Sequence, residues 1–494
     1  MKGLVETALG PVQGTGESVT SYRGIPYATA PIGPLRFRAP TPPEPWKEVL
    51  DAAHGAPSPV QSASSLFSGG LPGNQVGAVS EDCLTVDIWA PRDATGCPVL
   101  VWICGGAYLT GGSAIETYDG AALAERHRLV VVSVNYRLGA LGFLWPGGGD
   151  PNCGLRDQLA ALRWVGQHIG AFGGDPGNIT VFGESAGAGS ILHIVPVIAR
   201  ERLARRAIIQ SPGVEHTQTA ADAGRVKATV MQAVGLTDDA MLWTVPAEQL
   251  LDAQERSMPG LMATVGSMPF HPVVDGDVVA AKPGVSLAAT GLDLLISWTA
   301  EEMRLYPDRA ADDPVRLRKR IGGLIQRRSG AEPDGAAIER LVSFYEPLGA
   351  GADMWAGVQT DCLMRLPARR VALHADAGAV HLAQFDWGAT GGDWRRGAFH
   401  AIDLPFSFGT LDRAGWLEFL GAGGDDDRGA RRVADDHMAT WAAYATSGDP
   451  GWAAIGPTPD SVRRFDTTPD VTGDPLAGAA EVWQDLWPAD GPPM

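Results

Sequence analysis

Cysteine, positive charge and long apolar runs are all scarce in this chain. Its five cysteines (Cys83, Cys97, Cys104, Cys153 and Cys362) are an odd number without metal-type spacing, which argues against both a disulfide scaffold and a zinc site. A reduced, cytoplasmic compartment is the expectation. Lys and Arg number 39 against 57 Asp and Glu, a formal net charge of −18. Such a surface repels nucleic acid and anionic membrane and favours a neutral or cationic small molecule, although the same charge also keeps a large protein soluble. No apolar stretch reaches the length of a membrane span, 129–134 being strand-sized, and residues 1–15 carry one Lys and no apolar core of signal-peptide length. Internal repeats, charge blocks and linker-like tracts are also missing, so 1–494 is read as a single domain.

What is present is enough apolar residue, 45%, for a sizeable core, and 63 glycines with 37 prolines, which call for many turns and long ordered loops. Short strands are expected at 4–7 and 12–15 with a turn at Gly10-Pro11. Residues 99–103 and 129–134 are continuous β-rich apolar runs of the kind a parallel sheet buries on both faces. A helix fits 121–127 between them, and Leu155, Leu159, Leu162, Val165 and Ile169 mark a helical face over 155–172. A strand at 179–182, a tight turn at 183–187, a helix from about Ala188 and strands at 207–210 and 292–297 continue the alternation. The pattern predicts an α/β fold with a mostly parallel central sheet covered by helices on both faces. Residues 214–290 and 300–375 read as helical insertions that build a cap or pocket wall.

Gly183-Glu184-Ser185-Ala186-Gly187 lies between a predicted strand and a predicted helix, where a serine is forced into a strained turn with its hydroxyl at the carboxyl edge of the sheet. Ser185 is therefore the candidate nucleophile, and it needs a base and oxyanion donors. Upstream, Cys104-Gly105-Gly106-Ala107-Tyr108 follows the strand at 99–103, where small residues let backbone N–H groups converge on a carbonyl oxygen. Among ten histidines, His127 and His168 fall in helical patterns, and His54, His216, His374 and His381 have no distinctive context. The order Ser, acid, His places His400 best, with His437 left open by order alone. The acid is sought after the strand at 292–297, and spacing does not choose between Glu301 and Glu302.

A series of ordered motifs then resembles the type-B carboxylesterases of the α/β-hydrolases, a family that includes para-nitrobenzyl esterases and cholinesterases. They are Tyr22-Arg23-Gly24-Ile25-Pro26-Tyr27-Ala28 with Leu35-Arg36-Phe37, Ser80-Glu81-Asp82-Cys83-Leu84, Val134-Asn135-Tyr136-Arg137, Gly154-Leu155-Arg156-Asp157-Gln158, Phe172-Gly173-Gly174-Asp175-Pro176 and Phe182 to Gly187. The resemblance covers nearly the whole chain and implies an α/β-hydrolase fold. It implies a serine esterase with Ser185, Glu302 and His400 as triad, and with the N–H groups of Gly106, Ala107 and Ala186 as oxyanion hole. It also implies buried ion pairs Arg36–Glu81 and Arg137–Asp157, and a Glu184 that favours the imidazolium. The chain departs from the family in having no cysteine before Cys83 to pair with it, in Cys104 for the common His or Tyr, in Ala107 for a glycine, and in Met303 for the glycine after the acid.

The expected chemistry is attack by Ser185 on an ester carbonyl and an acyl-enzyme that water resolves, with no metal and no organic cofactor. The expected partner is a small-molecule ester. Carbamate or aryl-amide hydrolysis, or acyl transfer, is the alternative on the same site. A non-catalytic binding protein is the remote one. Tyr108, Trp298, Phe399 and Phe406 are candidate pocket aromatics, against the commoner role of aromatics as packing.

Overall fold

The computed structural model describes residues 3–62, 70–214, 216–266, 268–281, 291–330, 332–391, 397–422, 425–457 and 459–486. Parts of the two insertions, residues 215, 267, 282–290 and 331, thus lie outside the described residues, as do the ends of the span 1–494.

The described residues include a ten-stranded sheet. Its strands are β1 (Val19–Pro26), β2 (Thr85–Pro91), β3 (Cys97–Ile103), β4 (Val130–Val134), β5 (Gly174–Glu184), β6 (Arg206–Gln210), β7 (Asp293–Thr299), β8 (Val380–Phe385), β9 (Val462–Phe465) and β10 (Asp470–Thr472). The spatial order is β10-β9-β8-β7-β6-β5-β3-β4-β2-β1. From β4 to β9 every neighbouring pair is parallel, and antiparallel pairs occur only at the two edges. The mostly parallel sheet read from the sequence is present. Its antiparallel edge strands escape periodicity because polar residues interrupt them; Asp87 of β2 is buried yet accepts the Gly24 N–H at 2.7 Å.

Helices α1 (Ala121–His127), α2 (Cys153–His168) and α3 (Ala186–Glu201) follow the first parallel strands. The insertions supply α4 (Ala220–Val234), α5 (Ala247–Thr264), α6 (Pro314–Ser329), α7 (Gly335–Tyr345), α8 (Ala352–Gln359) and α9 (Leu366–His374), and α10 (Asp425–Ser447) returns to the sheet. The layer formed by α1 and α10 lies on one face, that of α2 and α3 on the other. Parallel strands force this arrangement, since each crossover must carry its helix over a face.

Two local expectations change. The N-terminal hairpin pairs Leu4–Thr7 with Gly10–Gln13, so Gly10-Pro11 belongs to a strand and the turn is Ala8-Leu9. Thr7 Oγ1 fixes it by accepting the N–H groups of Leu9 and Gly10, each at 3.1 Å. Helix α3 starts at Ala186, two residues earlier than the sequence suggested, which places its first N–H groups directly behind Ser185.

Large apolar side chains hold the layers together. Trp102 on β3 meets Phe182 of β5 at 4.7 Å between ring centroids and Phe408 at 5.1 Å. Full burial of each is worth about 1.5–3 kcal/mol. Both expected ion pairs are formed under this core. Arg137 donates to Asp157 through Nε at 2.8 Å and Nη2 at 2.6 Å. Arg36 makes a two-pronged contact with Glu81 and reaches the carbonyls of Leu242 and Val245 at 3.0 and 2.6 Å. It thereby ties the N-terminal segment to the first insertion.

Candidate active site

Strand β5 ends at Glu184 and α3 begins at Ala186, so Ser185 makes the whole reversal. It does so at φ 54° and ψ −121°, a conformation that costs a non-glycine residue on the order of 1–3 kcal/mol. The Ser185 N–H donates to the Gln210 carbonyl at 3.0 Å, and the Ser185 carbonyl accepts the Gly189 N–H at 2.8 Å. Space explains the flanking glycine: a Cβ on Gly187 would sit 2.1 Å from the Ile103 carbonyl oxygen.

His400 and Glu302 arrive on separate loops. Glu302 follows β7, is fully buried, and accepts from the Thr299 N–H at 2.8 Å and the Ser211 hydroxyl at 2.6 Å, both on Oε1. Its other oxygen meets His400 Nδ1 at 2.6 Å, and the His400 N–H donates to the Glu302 carbonyl at 2.9 Å. Glu301 turns the other way, to Arg304 at 2.6 Å and the Ala398 N–H at 3.1 Å. His437 is buried elsewhere, stacked on Trp441 with ring centroids 3.9 Å apart. Of the pairs left open by spacing, Glu302 and His400 are the two that touch.

Ser185 and His400 line the same cavity, whose volume is about 720 Å³. The ring atom His400 Nε2 lies 3.1 Å from Glu184 Oε1, and that oxygen makes no aligned hydrogen bond. A hydrogen bond from Ser185 Oγ to Nε2 is not among those formed by the described residues. Burial by itself pulls the His400 imidazole down, but the Glu184 and Glu302 carboxylates outweigh it and hold the ring up at about 9. Burial pushes Glu184 up to about 8 against the pull of His400, with Asp403 and Glu302 adding to the push. Asp403, to which the sequence assigns no role, is pushed by burial to about 6 while the Gln210 amide donates to it at 2.7 Å. The site therefore favours a protonated ring more strongly than Glu302 alone would.

The loop after β3 lines the same cavity. Gly106, Ala107 and Tyr108 are all at positive φ (108°, 57° and 62°). The N–H groups of Gly106, Ala107 and Ala186 have no backbone acceptor among the described residues. Glu184 packs into the space beside Gly105, where a Cβ would lie 2.7 Å from a Glu184 carboxylate oxygen.

The four aromatics named from the sequence do not line the cavity. Tyr108 packs on Phe143, Trp298 donates to the Gln384 amide, Phe399 meets Phe419, and Phe406 meets Phe385. All four are buried in the core, Trp298 on a strand covered on both faces and the other three in turns or a short helix packed against it. Tyr118, Tyr306, His216, Met303, Leu363 and Met364 line it instead. Leu363 and Met364 are neighbours presented by a π-helical stretch, Thr360–Arg365, between α8 and α9. Of these six, the sequence singles out Met303 alone, as a departure from a family pattern. The described residues contain no His, Cys, Asp and Glu cluster able to hold a metal ion, and no helix long and apolar enough to cross a membrane.

Comparisons with known proteins point the same way. The profile of the carboxylesterase family matches residues 2–471. The para-nitrobenzyl esterase of Bacillus subtilis (strain 168) is 34% identical, over 99% of both chains. The phenmedipham hydrolase of Pseudarthrobacter oxydans is 36% identical over 94% of this chain and 93% of its own. Among solved structures, a PNB esterase superposes with a TM-score of 0.86 at 33% identity, covering 99% of this chain and 100% of that one.

Proposed function

This chain belongs to the carboxylesterase family and is a carboxylesterase; from that premise we propose that Ser185, His400 and Glu302 are its catalytic triad. The observation that carries the proposal is the buried His400–Glu302 pair, at 2.6 Å, facing the cavity that holds the strained Ser185. The Ser185 hydroxyl attacks the ester carbonyl as its proton passes to His400 Nε2. Glu302 holds the ring by Nδ1 and offsets its growing charge. Gly106, Ala107 and Ala186 donate to the oxyanion, a reading supported by their unclaimed N–H groups. The tetrahedral intermediate collapses with loss of the alcohol, which takes the proton from His400. Water then attacks the acyl-enzyme by the same route.

The substrate is a neutral or weakly polar ester, suited to a wall of Met303, Leu363, Met364 and Tyr306. Carbamate or aryl-amide hydrolysis, or acyl transfer, is the alternative on the same site, and turnover of matched ester, carbamate and amide substrates separates it from simple esterase activity. One domain spanning 1–494 and a reduced, cytoplasmic setting complete the proposal. All five cysteines are buried and unpaired, which supports that setting.

Ser185→Ala decides the central assignment. The variant should fold normally and lose ester hydrolysis by ~10³-fold or more, and a serine-directed organophosphonate should label the parent alone. Near-parental activity in the variant overturns the triad.

A further inference from the structure

The loop carrying Gly106 and Ala107 runs through four positive-φ residues in six, ending with Gly111 at 130°. Such a backbone keeps its shape only where its surroundings over-determine it. At the start of the loop, Tyr136 donates its hydroxyl to the Cys104 carbonyl at 2.8 Å. In the middle, the Gly139 N–H donates to the Tyr108 carbonyl at 2.7 Å, and the Gly106 carbonyl accepts the N–H groups of Leu109 and Thr110.

Closing the far end is one side chain from a distant segment. Gln61 Nε2 donates to the Gly111 carbonyl at 2.6 Å, and Gln61 Oε1 accepts the Gly111 N–H at 2.9 Å. The same amide donates to the Pro59 carbonyl at 3.0 Å, which anchors it to its own segment. Gln61 is 4% exposed and lines the cavity. Its amide thus imitates one rung of a β-ladder, satisfying both backbone groups of Gly111.

We infer that Gln61 is a positioning residue for ester hydrolysis, setting the direction of the Gly106 and Ala107 N–H groups by clamping Gly111. The inference rests on the reading of those groups as oxyanion donors. Gln61 touches no reacting atom. Its effect appears where negative charge develops on the carbonyl oxygen, in kcat and in the binding of tetrahedral adducts. Substrate binding in its planar ground state is little affected.

Two variants test this against parent enzyme and Ser185→Ala. Gln61→Leu removes both hydrogen bonds and should lower kcat for a p-nitrophenyl ester by about 10- to 100-fold with KM within about threefold. A trifluoromethyl ketone accepts the Ser185 oxygen at its carbonyl carbon, the proton passes to His400, and the carbonyl oxygen becomes the oxyanion. Its inhibition constant should rise by a similar factor. Gln61→Glu guards against a folding defect. An ionised carboxylate presents acceptors to the carbonyls of Gly111 and Pro59 and breaks the clamp. A protonated carboxyl donates to the Gly111 carbonyl and accepts its N–H, restoring the pattern. The activity of Gln61→Glu relative to parent should therefore climb as pH falls between about 8 and 6, burial holding the new carboxyl above its usual range. A flat ratio, an unchanged kcat in Gln61→Leu, or unchanged ketone inhibition overturns the clamp while leaving the triad intact. Activity surviving in Ser185→Ala overturns the triad reading beneath it.

Discussion

Two regions meet at the cavity, and they are built in opposite ways. The sheet edge is backbone under constraint: Ser185 at φ 54°, Ala107 at φ 57°, and a Gly187 that tolerates no Cβ. Another part of the wall is side chain. Met303 and Tyr306 come from the turn after β7, and Leu363 and Met364 from a π-helical stretch within the second insertion. Such backbone would hold the proposed donors and nucleophile in the precise geometry that acyl transfer demands. Long unbranched or singly branched side chains adapt to different occupants at little cost. On the proposed mechanism, chemistry and substrate choice are therefore carried by separate parts of the fold.

The largest effect that would sharpen this division comes from the acid. Glu302→Gln removes the carboxylate from His400 Nδ1 and should cost about 10³-fold in kcat/KM. Glu301→Gln, whose carboxylate faces Arg304 and the Ala398 N–H, should cost no more than about threefold. Steady-state kinetics on both variants would break the assignment if their order were reversed.

Changes in the wall should be smaller and selective. Leu363→Ala or Met364→Ala should leave kcat for a short-chain ester within about twofold. Each removes three heavy atoms from the wall and should alter kcat/KM for bulky aryl esters by about tenfold or more, since even one methylene in an apolar pocket discriminates by about that much. A uniform fall across all esters would mean that the wall also shapes the chemistry, and the two regions would no longer be separable.

The smallest expected effect is a displacement along the pH axis. In the proposed triad His400 acts as base only when neutral, so activity should rise with pH through its pKa, which Glu184 and Glu302 hold up. Glu184→Gln removes one of the two carboxylates. The acidic limb of kcat/KM should move to lower pH by about one unit, with the plateau changed far less. A limb that stays in place would show that Glu184 carries its proton throughout and contributes no charge to the ring.

Much of the fold and the candidate site could be read from sequence where the signal is local. The strand, turn and helix around Gly183 to Gly187 lie within a few dozen residues, and so do the apolar runs that became β3 and β4. Spacing failed at Glu301 and Glu302 because two adjacent carboxylates after a strand differ only in which way the next turn points. It also failed on the pocket aromatics. Trp298 and Phe406 are large and lie near the site in sequence, but nothing local says which face of an element meets the cavity. Their replacements, Tyr118 and Tyr306, flank other elements with equally ordinary patterns.

The amino-acid sequence by itself determined the alternation of buried strands and helices, the strained turn at Ser185, and the family to which these motifs belong. All of these depend on backbone preferences and contacts between residues close along the chain. The family resemblance already implied Glu302 as the partner of His400, where spacing alone did not; only the tertiary structure showed that Glu301 turns away, that Ser211 and Asp403 lie around the pair, and that Gln61 reaches Gly111 across 50 residues. Those contacts depend on loops from separate strands arriving at one edge of a ten-stranded sheet. The register of that meeting is set by packing of the whole core, which no local pattern encodes.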